Sequence, residues 1–136
     1  MALRLKIQDG DYSVCRFVPT TDLSQLLNLC ADGFFSITRT KDEISVVRPS
    51  FTGEDSLRTT HSDCSYKIES GWRLLKVEGP LDFGLVGIIH KISERLATAQ
   101  VPLFVVSTFD TDYVLVKKDR LDDAVDALNH NSIFID

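Results

Sequence analysis

The chain has 136 residues, 43% hydrophobic and 26% charged, enough for one ordinary folded domain or two very small ones sharing a core. Its net charge of −5 argues against a nucleic-acid binder, and no uninterrupted apolar run approaches the roughly 18 residues of a membrane helix. Cys15, Cys30 and Cys64 are far apart, lack CxxC spacing and read as reduced thiols. The N-terminus has no signal-peptide core, so a cytoplasmic protein is expected.

In chain order, LRLKI (3–7) and YSVCRFV (12–18) flank QDGD, where Gly10 is free to take positive φ, and together they predict a β-hairpin. TTDLSQLLNLC places Leu23, Leu26, Leu27 and Cys30 at helical spacing behind Thr21 or Asp22 as caps. FFSITRT (34–40) and EISVV (43–47), joined by Lys41-Asp42, predict two more strands. The first unit, 1–50, therefore reads β-β-α-β-β, a sheet with a helix on it. A segment of about 50 residues rarely buries enough apolar surface to stand alone, so it is expected to pack against the rest. The polar, aperiodic stretch 51–70 reads as a linker or long loop, with SYKIE as a short strand.

WRLLKVEG (72–79) predicts a buried strand ended by Gly79-Pro80. Leu85, Ile88, Ile89, Ile92 and Leu96 then recur at helical spacing, with Asp82 as the expected N-cap. VPLFVVST (101–108) and DYVLV (112–116) predict a tight hairpin. Leu121, Ala124, Val125 and Leu128 mark a second helix, capped by Asp119 and ended by Asn129 or Asn131, before a last strand at SIFI (132–135). Residues 71–136 thus read βαββαβ: two helices on one side of a four-stranded antiparallel sheet, a ferredoxin-like α+β unit.

Little in this pattern suits catalysis. His61, His90 and His130 lie beside no nucleophile motif such as GxSxG, and no metal-ligand spacing occurs. The acidic run DRLDDAVD reads as a solvated helix face. Two loops could bind a small molecule. In EGPLDFGLVG (78–87), Gly79, Gly84 and Gly87 leave backbone bare at a helix start, where N–H groups and the helix dipole favour a carboxylate. The same glycines serve equally to allow a tight turn and close packing. STFDTD (107–112) is either a polar hairpin tip or a second wall, on which Asp112 could hold an ammonium group. A carboxylate-binding helix start and an ammonium-binding aspartate are the minimum needed to hold a free amino acid.

VEGPLDF, the Gly87-Ile88 pair, PLFVVSTFDTDYVLV and the acidic helix after it resemble the ACT-domain family. The likeness is greatest to the tandem-ACT subgroup, which includes the CASTOR-type cytosolic arginine sensors and small uncharacterised microbial proteins. GDYSVCRF and FFSITRTKDEISVV are similar to that subgroup's amino-terminal unit, so the resemblance implies two ACT-like units, 1–50 and 71–136. It implies a regulatory protein rather than an enzyme, binding an amino acid or similar metabolite without cofactor or metal and changing the arrangement of domains or subunits. A homo-oligomer or a regulated partner protein would be involved, with neither nucleic acid nor membrane. A ligand-free interaction module is the alternative. By resemblance, Phe83, Gly84, Val86, Gly87, Ile88 and Ile89 would cradle the ligand backbone, facing Thr108, Phe109 and Asp112. Where arginine-sensing members carry an acidic side chain before the glycine turn, this chain has Leu85, which points to a small or apolar amino acid.

Overall fold

The computed structural model describes residues 2–28, 30, 33–51, 66–78 and 86–136. In chain order the elements are β1 (Leu3–Ile7), β2 (Tyr12–Phe17), α1 (Leu23–Asn28), β3 (Ser36–Arg39), β4 (Ile44–Pro49) and β5 (Tyr66–Val77). After these come α2 (Ile88–Thr98), β6 (Phe104–Ser107), β7 (Asp112–Lys117), a 3₁₀ turn (Lys118–Arg120), α3 (Leu121–Leu128) and β8 (Ile133–Ile135). They form two compact units, one of Met1–Asp9 with Trp72–Asp136 and the other of Gly10–Gly71.

In the first unit the strand order is β6-β7-β5-β1-β8. The β6–β7 hairpin is the expected one, with Phe104 opposite Leu115 and Ser107 opposite Asp112. β7 lies antiparallel to β5, from Trp72 opposite Lys117 to Lys76 opposite Tyr113. One face of this sheet supplies Leu3, Leu5, Leu75, Val77, Val114, Val116 and Ile133 to the core. Ile88, Ile92 and Leu96 of α2 and Ala124 and Leu128 of α3 cover that face, so both helices lie on one side, as their apolar stripes require. The fold is the mixed α+β layer pair.

Three expectations are corrected here. β1 does not pair with β2. It is wedged between β5, antiparallel with Leu5 opposite Val77, and β8, parallel with Leu3 opposite Ile133. Both edges of β1 are occupied, which leaves no place for a hairpin partner, although Gly10 does take the positive φ (84°) expected of it. The sheet is therefore neither four-stranded nor wholly antiparallel. Second, YKIE of the expected short strand and WRLLKV belong to one twelve-residue strand, Tyr66–Val77, continuous through Gly71 at φ 80°. Third, neither helix has its expected acidic cap. Gly87 caps α2, and Arg120 precedes α3, with Asp119 inside the 3₁₀ turn. Asn129 does end α3, its N–H donating to the Val125 carbonyl at 2.9 Å.

In the second unit the order is β3-β4-β2-β5. β2 and β4 pair from Tyr12 opposite Pro49 to Phe17 opposite Ile44, burying Cys15, Phe17, Leu26, Ile44, Val46, Tyr66 and Ile68 together. Asp22 caps α1 as expected: its carboxylate accepts the Ser24 N–H at 2.9 Å and the Ser24 hydroxyl at 2.8 Å, which holds its pKa below the usual value. Arg48 is fully buried, its guanidinium 4.5 Å from the centre of the Phe51 ring.

Candidate functional site

The helix α2 begins where Gly87 adopts φ 82°, ψ 6°, the left-handed region that glycine enters without strain. A Cβ built there would meet nothing within 4 Å, so the backbone angle rather than crowding selects glycine. The first intrahelical bond runs from the Lys91 N–H to the Gly87 carbonyl at 2.9 Å. The amides before Lys91 therefore have no acceptor within the helix, among the described residues no side chain caps them, and the first turn carries no acid. Ile88 is buried and fixes this turn onto the core, Ile89 is half-buried, and Val86 is 89% exposed. Phe83 and Gly84, with Leu85 and Asp82, lie outside the described residues.

The β6–β7 tip is tied to itself. The Thr108 N–H and hydroxyl both donate to the Thr111 carbonyl, at 2.8 and 3.1 Å, and the Thr111 N–H donates back to Thr108 Oγ1 at 3.3 Å. The Thr108 hydroxyl proton is thus committed within the turn, and only a lone pair remains for a ligand. Phe109 is 79% exposed at the apex. Asp112 is half-buried, and its Oδ1 accepts the Ser107 hydroxyl at 2.7 Å across the hairpin.

The Thr111 hydroxyl leaves the hairpin and donates to the Val77 carbonyl, the last residue of β5. The tip carrying Asp112 therefore lies at the end of the sheet where β5 passes into the connection leading to Gly87. Thr108, Phe109 and Asp112 are gathered there, while Val86, Gly87, Ile88 and Ile89 stand at the far end of that connection. Sequence reasoning missed Thr111. Alternation along β7 puts it on the face of Tyr113 and Leu115, opposite the core residues Val114 and Val116, so the pattern gave no signal of its burial. Among the described residues no three His, Cys, Asp or Glu side chains could hold a metal, and no helix is long and apolar enough to cross a membrane.

The ACT-domain family model matches residues 67–130. The chain is 30% identical over 98 residues to the Homo sapiens protein named cytosolic arginine sensor for mTORC1 subunit 1, covering 70% of this chain and 29% of that one. The Rattus norvegicus counterpart is 31% identical over 98 residues, 28% of its length. The chain thus spans less than a third of these curated relatives. Among solved structures, protein Atu0741 from Agrobacterium tumefaciens is 30% identical with a TM-score of 0.81, over 99% of this chain and 92% of that one. An aspartokinase alpha and beta subunit structure has a TM-score of 0.69 at 15% identity, covering 94% and 96% of the two chains, and shares the fold alone. With a family model on β5 to α3 and a relative aligned along nearly its whole length, the chain belongs to the ACT-domain family.

Proposed function

We propose that this chain is a regulatory, non-catalytic module that binds a free amino acid at the β5–hairpin end of its first unit. The supporting observation is the Thr111–Val77 bond, which puts the Asp112 hairpin beside the strand leading to the uncapped start of α2. Asp112 takes the α-ammonium, and the free amides after Gly87 take the α-carboxylate. Val86 on one side, and Thr108 and Phe109 on the other, line the space between, and the family resemblance adds Phe83 and Gly84, which lie outside the described residues. The named ligand of the curated relatives, arginine, supports the amino-acid class. Leu85 favours a small or apolar side chain over a cationic one.

The second unit is read as another ACT-like unit in tandem, and the relatives' naming as cytosolic sensors supports a cytosolic setting. The exposure of Val86 (89%) and Phe109 (79%) favours completion of the site by a second surface, that of another copy or a regulated partner. Ligand would act by stabilising one arrangement over another, in proportion to its difference in affinity for the two. The same exposure, with Asp112 already bonded to Ser107, favours the second reading of a ligand-free assembly module.

A thermal-shift series with the twenty amino acids separates the readings. A site filled to about 100 times its dissociation constant adds roughly 2.7 kcal/mol. The wild type is expected to respond to at least one amino acid, and Asp112→Asn to lose that response while keeping its unliganded melting temperature. An equal response in the variant removes Asp112 from the site, and a flat wild-type series supports the assembly module.

A further inference from the structure

Thr111 is the only polar side chain of the first unit buried below a tenth of its surface among the described residues, at 4% exposure. Its position follows from a break in the sheet ladder. The pairs of β5 and β7 end at Lys76 opposite Tyr113. In that register the next step sets Val77 opposite Asp112, and Thr111 lies one residue further on, its N–H turned toward Thr108 Oγ1 on the β6 side. Its side-chain hydroxyl points the other way and donates to the Val77 carbonyl, a side-chain bond to β5 beyond the last backbone pair. Thr111 thus serves both structures: its backbone closes the turn that presents Thr108 and Phe109, and its hydroxyl fastens that turn to β5.

We infer that Thr111 is the positioning residue of the amino-acid site, the latch that sets the Asp112 hairpin at a fixed distance from the strand end leading to Gly87. This rests on the amino-acid reading above. A zwitterion has its two charges at a fixed short separation, so holding both at once requires the two walls to keep their spacing. The ladder pairs between the hairpin and β5 begin at Tyr113, on the side of Asp112 away from the tip. Without the hydroxyl, residues 108–112 can swing as a unit, carrying Asp112 with them, while the helices and core stay in place.

The test compares wild type, Thr111→Val and Thr111→Ser by isothermal titration, each of the twenty amino acids serving as a separate probe. Unliganded melting temperatures are measured alongside. Valine keeps the branched shape and removes the donor, while serine keeps the donor. The expected result is at least about a tenfold loss of affinity in Thr111→Val, the scale of one lost buried hydrogen bond, with Thr111→Ser within about threefold of wild type. Equal affinity in wild type and Thr111→Val overturns the latch and leaves the amino-acid site standing. A loss of about tenfold or more in Thr111→Ser also overturns it, because the hydroxyl is then not what matters, and this holds even if the valine variant fails to fold. A wild type that binds none of the probes overturns the amino-acid site and the latch with it.

Discussion

Tyr66 lies in the core of the second unit beside Phe17, their ring centres 4.7 Å apart. Burial pushes its phenol up to about 12, and nearby Cys15 adds to the rise, while Arg48 opposes both. Between the ordinary value of 10 and about 12, the folded chain keeps a proton that the unfolded chain has lost. Stability then falls as pH rises, because the native state binds more protons. Burial raises the Cys30 thiol too, against a smaller lowering by Arg48, and its contribution has the same sign. Urea unfolding is therefore expected to show stability declining from pH 10 to pH 12, and Tyr66→Phe to flatten that decline. A parallel decline in both proteins would show that Tyr66 is not its source. The sequence marked this tyrosine only as part of a possible short strand. A shifted phenol depends on what packs around it, and Phe17 and Arg48 are distant in the chain.

At the scale of elements, apolar spacing was a sound guide and end signals were a poor one. The stripe Ile88, Ile92 and Leu96 is the buried face of α2, as its spacing predicts. Asp82, the expected cap, lies outside the described residues, and the N-cap position belongs to Gly87, where a left-handed backbone turns the chain into the first turn. Asp22 succeeded because Ser24, two residues on, supplies both donors. The β6–β7 hairpin was legible from its β-branched runs, and Ser107, Thr108 and Asp112 were picked out from their polarity. Thr111 was not, since nothing local shows that a hydroxyl must reach β5. For Gly87, open space around the missing Cβ leaves only the backbone to oppose substitution. Gly87→Ala is expected to cost about 1–2 kcal/mol, the penalty of a left-handed L-residue, and Gly87→Asn visibly less. Urea midpoints at unchanged slope measure both. An alanine variant as stable as wild type would mean that the helix start can re-form in another geometry. Ile92→Ala, deep in the same helix, is expected to cost about 2–5 kcal/mol by the same measurement.

At the scale of the whole molecule, the instructive error concerns β1. Its alternation identified Leu3, Leu5 and Ile7 as one face and Arg4 and Lys6 as the other, but alternation gives the buried face of a strand and not its neighbours. The nearest turn signal suggested β2, while the actual partners are β5 and β8, some 70 and 130 residues away. The consequence is testable. If residues 71–136 formed a complete four-stranded sheet, that stretch would fold by itself. In the structure its β5 and β8 are joined through β1, and Leu3 and Leu5 fill the core between them. Each fully buried leucine contributes about 1.5–3 kcal/mol, so losing two removes a large part of the roughly 5–15 kcal/mol of a small domain. A chain of residues 72–136 is accordingly expected to show no cooperative thermal transition by circular dichroism. Residues 1–9 joined after Asp136 through a flexible linker of about ten Gly and Ser residues should restore one, since β1 runs parallel to β8 and such a linker spans the return. The same fusion with Leu3 and Leu5 both changed to Asp supplies the control, as it offers the backbone edges without the apolar face. Cooperative unfolding of 72–136 alone would mean that β1 merely decorates a sheet able to close without it.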